Sequence, residues 1–198
     1  ASAQATLLQR ARALWTLLRQ RFPRARCEWA WVGNRPALQL LVRQVHGDTT
    51  PRAEHSFEWL RALVEVLNPH DNHGLRERLA AVLLRRADAA AALALTERYP
   101  DDFVGMQLLH VRALLALQRL PEAEAGFASA LQANPHVTKL LRASRAPRVP
   151  DVPSYRVGSP EEARIAVANQ HDLWRDKALQ QWLATRSDPA GPVQLTLT

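Results

Sequence analysis

Cysteine is almost missing from this chain of 198 residues, which contains only Cys27. A single cysteine excludes an internal disulfide and argues against a cysteine-based metal site. The sequence also has no run of about 18 apolar residues, the length that a helix needs to cross a bilayer. We therefore predict no membrane contact, and a reducing, cytoplasmic location fits the cysteine usage.

Motifs that carry familiar chemistry are missing as well. There is no glycine-rich phosphate loop, no Gly-x-Ser-x-Gly elbow and no paired His-Glu zinc motif. His70, Asp71 and His73 are close in sequence, but no further His or Cys lies at a spacing typical of a metal site. His110 has no identifiable acid–base partner. The sequence thus predicts no enzyme activity, no bound metal and no cofactor.

Lysine is scarce, so the basic charge is carried almost entirely by arginine. The formal net charge is +7, and of the 26 Lys and Arg residues only Lys139 and Lys177 are lysine, which leaves 24 arginines. Arginine forks recognise phosphates and carboxylates, so a nucleic acid or an acidic peptide is one possible partner. The other interpretation is a compositional bias whose arginines cover solvated helix faces. The lack of five or six consecutive basic residues favours this second interpretation.

Apolar residues make up 47% of the chain and recur at the spacing of one helix face. In the first such segment, Leu7, Ala11, Leu14, Trp15 and Leu18 are predicted to face inward. The predicted helices are 5–21, 36–45, 52–67, 72–86, 88–99 and 137–143, with others that start near Asp101, Pro121, Ser159 and Leu173.

Residues 68–76 form the junction between two predicted helices. Asn68 precedes Pro69 and therefore avoids helical torsions, which ends the first helix. Asp71 is predicted to cap the next helix by accepting hydrogen bonds from the backbone of His73 or Gly74. Similar turns follow at Pro100 and Pro135, close to the 34-residue spacing of a tetratricopeptide unit.

The clearest repeat unit ends at the last of these turns. Pro121 suits a first helical turn, and Ala123, Phe127, Ala130 and Pro135 follow in the order of a tetratricopeptide second helix. Alanine lets helix backbones approach, and the aromatic ring fills the groove between neighbouring helices. We predict an all-α fold, a tetratricopeptide-like solenoid of about three antiparallel helix pairs with an N-terminal helix and C-terminal capping helices.

One segment has a different period. Trp29 and Trp31 alternate with Glu28 and Ala30, which suits an extended strand, and residues 27–32 are predicted to pair with 193–198. The alternative is that the tryptophans fill the core beneath a loop. The predicted organisation is one domain with four parts: 1–33, the repeats 34–144, a Pro-rich connector with capping helices at 145–186, and a tail at 187–198.

Several segments together resemble the suppressor-of-tumorigenicity 7 family of tetratricopeptide-like proteins. The resemblance covers roughly residues 31–185 but departs in the first repeat, where a shortened, Thr-rich loop replaces the usual Gly turn. It implies an all-α repeat fold and protein–protein contact, with no catalytic residues. The segments that carry it are 34–36, 67–76, 99–102, 130–135 and 153–163, followed by Trp174 and 178–183.

The function predicted from these features is that of a non-catalytic scaffold or adaptor that binds a protein or peptide in a concave groove. The alternative is a basic nucleic-acid-binding helical protein, which requires an affinity that falls steeply with salt. For Arg76, a second interpretation is that it holds the turn at Asp71. The residues predicted to line the groove are Asn72, Leu75, Arg76, Leu108, Arg112 and Leu115.

Overall fold

The computed structural model describes residues 3–47, 54–100 and 103–186, and within these ranges the chain is helical with no strand. The all-α prediction is confirmed at this level. The α-helices are α1 Ala3–Arg21, α2 Arg35–Gly47, α3 Glu54–Ala62, α4 Arg76–Arg85, α5 Ala89–Glu97, α6 Val104–Ala116, α7 Leu120–Ala133, α8 Val137–Arg142, α9 Pro160–Gln170 and α10 Lys177–Ala184. None of the helices in the described ranges is long and apolar enough to cross a membrane.

The chain divides into two compact units, Ala1–Val82 and Leu83–Thr198, and the division falls within α4. The organisation predicted from the sequence, one domain with boundaries near 33, 144 and 186, stays a prediction.

The first unit is built around α2 and α3, which contact each other. Leu38, Leu41 and Val45 are buried on α2, at the spacing that the sequence predicts. The predicted second helix is present from Glu54, but its last turn widens into a π-helix at Leu63–Leu67. The Asn68 N–H closes this turn by donating to the Leu63 carbonyl at 2.9 Å. The buried side chains of α3 and the π-helix are Phe57, Trp59, Leu60, Ala62, Leu63, Val64 and Leu67.

Residues 27–32 do not form the predicted strand. Two of their backbone N–H groups instead donate to the end of the π-helix. The Cys27 N–H donates to the Leu67 carbonyl at 2.7 Å, and the Trp29 N–H donates to Asn68 Oδ1 at 3.3 Å. Trp29 is half-buried, as the core-filling alternative expects, whereas Trp31 is 71% exposed. The other half of the predicted pair, 193–198, lies outside the described residues.

In the second unit, α6 packs against both α5 and α7. Ala123, Phe127 and Ala130 are all buried, which confirms the inward face predicted for α7. Gly126 also belongs to this close approach, because a Cβ there would lie 3.3 Å from the Val111 side chain. Small residues on α7 therefore let α6 pack close to α7, as the sequence pattern predicts.

The C-terminal part of this unit packs on the preceding helices. The connector after α8 has no helix until α9, whose first turn is capped by Ser159 accepting from the Glu162 N–H at 3.2 Å. α9 contacts α6 and α8, and α10 contacts α8. Trp174 lies between α9 and α10 in the sequence, and its side chain is fully buried. Its carbonyl accepts from Gln180 Nε2 at 2.7 Å.

Glu162 connects three parts of the second unit. Its carboxylate is buried, and it accepts from the Val104 N–H at 3.3 Å, from Asn134 Nδ2 at 3.0 Å and from the Gly158 N–H at 2.6 Å. It thereby satisfies the first N–H of α6, while Asp101, the residue predicted to cap that helix, lies outside the described residues. Gly158 has φ of +79°, and a Cβ there would lie 3.2 Å from the Ala133 carbonyl, so glycine is required.

Candidate functional site

The junction predicted around Asp71 is a compact hydrogen-bonded turn. Asp71 adopts φ of 45°, in the left-handed region that aspartate tolerates better than most residues. Its carboxylate accepts from the Leu75 N–H at 3.0 Å and the Arg76 N–H at 2.8 Å. The capping role is therefore confirmed, but the predicted donors are wrong. Gly74 donates its N–H to the Asp71 carbonyl at 3.0 Å, because the left-handed turn carries the carboxylate further along the chain.

Arg76 holds this turn, as the second interpretation of its role expects. Its Nη1 lies 3.2 Å from both the carbonyl and the carboxylate of Asp71. Burial raises the pKa of Asp71 above its ordinary value, and the hydrogen bonds and charge of Arg76 and the Leu75 N–H work in the opposite direction. Of the three groove residues predicted in this unit, Leu75 is buried, Arg76 is half-buried and Asn72 is exposed.

The three groove residues predicted on α6 are also turned toward the protein. Leu108 and Leu115 are buried, so neither offers surface to a partner in this structure. Arg112 donates from Nε to the Leu173 carbonyl at 2.8 Å, and burial lowers its pKa. The cause is that α9 and the segment after it pack against this part of α6. Partner contact by these residues remains a prediction, but exposed surface has to be sought elsewhere.

Leucines on α1 form an exposed apolar surface. Two of them, Leu14 and Leu18, are predicted from the sequence to face inward. Leu14 is 58% exposed, Leu17 62% and Leu18 40%. Their i, i+3, i+4 spacing puts them on one side of the helix, and Phe22 follows one turn later with 54% exposure. We call these four residues the leucine stripe.

Trp15 is half-buried and lies three residues before Leu18, at the edge of the leucine stripe. The polar side of α1, away from the stripe, faces a cleft of about 370 Å³. It is lined by Thr16, Arg19, Gln20, Glu58, Trp59 and Ala62. Because polar residues of α1 line this cleft, the apolar side of the helix stays at the surface. The apolar residues of α1 share one broad side of the helix, and their spacing identifies this side without showing whether another element covers it.

The segment of the sequence that carries the leucine stripe is basic. No aspartate or glutamate precedes Glu28 in the chain. The arginines of this region are Arg10, Arg12, Arg19, Arg21, Arg24 and Arg26. Two acidic residues lie near these arginines, because Arg26 pairs with Glu28 at 3.1 Å and Glu58 lines the cleft with Arg19. An exposed apolar stripe beside an excess of arginines can bind an apolar surface that carries negative charge.

Two of the histidines considered as candidates, His73 and His110, contact neighbouring side chains of the protein. His73 is half-buried, and its ring meets Trp29 edge-on at 4.5 Å between centroids. His110 is half-buried, its Nδ1 lies 2.9 Å from Thr96 Oγ1, and burial lowers its pKa. Among the residues that the structure describes, no group of three or more His, Cys, Asp and Glu side chains could hold a metal ion.

Comparison with models of known protein families, with curated proteins and with solved structures gives no match to this chain.

Proposed function

We propose that this protein is a non-catalytic scaffold that binds a protein partner through the leucine stripe of α1. The observation that carries the proposal is the exposure of Leu14, Leu17 and Leu18 on one side of a helix. Large apolar side chains grouped at a surface are typical of protein–protein contact sites. An amphipathic helix offers such a row of anchors to a groove in its partner.

The charge around the stripe defines the partner further. Arg10 and Arg21 follow the same helical spacing as Leu14 and Leu17, and the first 27 residues contain no acid. The partner that complements this surface has an apolar groove with aspartate or glutamate at its rim. Opposite charges at the rim speed the encounter, while the buried leucines supply the affinity.

The proposal also includes the repeat architecture. The buried Ala123, Phe127 and Ala130 of α7 against α6 support a tetratricopeptide-like helix pair, and the resemblance to the suppressor-of-tumorigenicity 7 family points the same way. In this view the packed repeats are the scaffold, and α1 rather than a concave groove on α6 provides the contact.

The test compares affinity capture from the native host with two double variants of the full chain. Leu14→Glu with Leu17→Glu should lose the proteins that the parent chain captures. The matched control is Leu117→Glu with Leu120→Glu, because these leucines are 38% and 45% exposed but lie outside α1. Capture by the first variant equal to that by the parent and the control would overturn the proposal, provided that circular dichroism shows equal helicity.

Nucleic-acid binding is the second candidate, and the +7 charge with the arginine-rich α1 favours it. Its signature is an affinity for RNA or DNA that falls about 10³-fold or more between 50 and 200 mM salt for six or more phosphate contacts. Binding through the leucine stripe should instead tolerate salt. Lack of gel retardation at low salt would remove this candidate.

A further inference from the structure

The connector between α8 and α9 has a three-residue period in its sequence. Pro147, Pro150 and Pro153 recur at every third position. Proline fixes its own φ near −65°, and the residue before each proline is held in the extended or polyproline II region. The three prolines therefore restrict six of the eight residues 146–153 to extended or polyproline II conformations, which are compatible with a polyproline II helix.

A polyproline II helix has three residues per turn, so every third residue shares a face. The first face of the connector is apolar, the second is proline and the third is polar. In this order the faces are Ala146, Val149, Val152 and Tyr155; then Pro147, Pro150 and Pro153; then Arg145, Arg148, Asp151 and Ser154.

The apolar face is turned to solvent. Val149 is 51% exposed and Val152 40%, whereas Pro147 and Pro150 are half-buried. Tyr155 is 41% exposed and meets the Phe103 ring edge-on at 6.3 Å between centroids. From 146 to 152 the chain has no helix, turn or strand, and a bend follows at Pro153. Between 145 and 154 no backbone group hydrogen-bonds to another residue that the structure describes. Residues 145–154 thus combine exposed valine side chains with a backbone that has no hydrogen bond to the other described residues.

Both ends of the connector are fixed by the rest of the second unit. At its start, the Ala143 carbonyl lies 3.0 Å from His171 Nε2 and 2.9 Å from Arg175 Nη1. At its end, the Ser159 N–H donates to the Arg156 carbonyl at 3.1 Å, and Gly158 donates to buried Glu162. A segment held at both ends and stiffened by proline loses little conformational entropy when a partner binds it.

We propose that residues 145–155 are a polyproline II ligand for a partner domain whose groove is lined with aromatic side chains. Parallel aromatic rings form slots that receive successive X-Pro pairs. Here the pairs are Ala146-Pro147 and Val149-Pro150, in which Ala146 and Val149 are exposed and each proline is half-buried, with Val152-Pro153 at the bend. Exposed Arg145 and Arg148 on the polar face select a groove with acidic residues at its edge. In this interaction the chain is the recognised ligand, which is a different surface and a different role from the leucine stripe.

The test uses the ¹⁵N-labelled full chain and a panel of purified SH3, WW and EVH1 domains, which have aromatic-lined grooves. At least one domain should shift the amide signals of 145–155 saturably, with a dissociation constant in the micromolar range. Val149→Glu with Val152→Glu should weaken that binding at least tenfold, and Pro150→Ala should weaken it as well. The matched control is Val157→Glu, which is 67% exposed but lies off the apolar face, and it should stay within twofold of the parent.

Three results would overturn the proposal. The first is that no domain of the panel gives saturable shifts at millimolar concentration. The second is that the shifts map outside 145–155, and the third is that the Val149 and Val152 variant binds like the parent. The Leu14→Glu and Leu17→Glu variant should bind the panel domains normally, so failure of either proposal can be told from failure of the other.

Discussion

Asp71 in the first unit and Glu162 in the second are both buried carboxylates that accept backbone N–H groups, but they act over different lengths of chain. The donors to Asp71 lie four and five residues away, so the contacts hold a single turn. The donors to Glu162 include Val104, which is 58 residues away, and Asn134, which is 28 residues away. Asp71 is also paired with Arg76, whereas the three donors to Glu162 are all neutral groups.

This difference shows what each residue secures. A local cap determines where one helix begins, and its neighbours in sequence supply what it needs. Glu162 instead joins the start of α6, the end of α7 and the start of α9, so its loss affects the packing of several helices. We expect the larger energetic effect at Glu162, although Asp71 has the more prominent place in the sequence.

The largest effect is expected for Glu162→Ala, which removes the acceptor of the Val104 and Gly158 N–H groups and one of the two acceptors of Asn134 Nδ2, the other being the Ser159 carbonyl. The free energy of unfolding should fall by about 3–4 kcal/mol, because each orphaned buried donor costs about 1–3 kcal/mol and water partly replaces the lost carboxylate. Urea unfolding followed by circular dichroism measures the change. Glu161→Ala is the control, since it lies in the same helical turn and should cost at most about 1 kcal/mol through the helix dipole. Equal effects of the two substitutions would contradict the role given to Glu162.

Asp71→Ala should destabilise less, by about 2–3 kcal/mol, because it removes two backbone acceptors and the partner of Arg76. Asp71→Asn should retain more stability, since asparagine tolerates the left-handed conformation and keeps one side-chain oxygen acceptor. The same unfolding measurement applies, and Asp88→Ala provides a comparison with an exposed cap that accepts only from the Ala91 N–H. If Asp71→Ala proved costlier than Glu162→Ala, the ranking of local and long-range contacts would be reversed.

The smallest effect on stability is expected at the ion pair of Arg85 and Asp172. Its carboxylate is exposed, so it shows what pairing contributes when the acid is not buried. Arg85 Nε and Nη2 each lie 2.7 Å from an oxygen of Asp172, and the Asp172 side chain is 59% exposed. Arg85→Ala should cost about 1 kcal/mol at pH 7, because solvent screens the pair through the exposed Asp172, although the bond from Arg85 Nη2 to the Asn169 carbonyl at 2.9 Å is lost with it. Thermal unfolding with and without 0.5 M salt measures this contribution.

The pH dependence of the two aspartates should differ in sign. The hydrogen bonds from Arg85 lower the pKa of Asp172, so its stabilising contribution is present above the ordinary value of 3.8 and is lost as the pH falls through the lower folded value. Burial raises the pKa of Asp71, so the part of its contribution that is linked to protonation is greatest below the ordinary value of 3.8 and is lost as the pH rises through the higher folded value, while the hydrogen bonds from the Leu75 and Arg76 N–H groups remain. Carboxyl titration by NMR should show the two shifts in opposite directions, and shifts of the same sign would contradict this assignment.

The sequence predicts the helices well where the signals are local. Pro121 in the first turn of α7, Ser159 at the start of α9 and the buried set Ala123, Phe127 and Ala130 all follow from short-range patterns. Capping depends on residues within one turn, and an apolar face depends on spacing, so both can be read from neighbouring positions.

The surfaces were harder to predict because periodicity identifies an apolar face without identifying what covers it. Leu108 and Leu115 were placed in a groove, yet α6 has buried residues all around it, which is the pattern of a central helix. Leu14 and Leu18 were placed inward, yet they are exposed while polar residues line the cleft beneath α1. The long-range role of Glu162 could not be predicted, because sequence spacing does not show that Val104 lies beside it.

The π-helix at Leu63–Leu67 has a consequence for sequence alignment. A wide turn holds one residue more than the α-helix around it and rotates the following side chains by about a quarter turn. A protein with an uninterrupted α-helix here would therefore match this chain only with a one-residue gap inside the helix. Without that gap, Asn68 and Asp71 would be matched with the wrong positions. Structural superposition around residues 63–67 should precede any comparison of this junction between proteins.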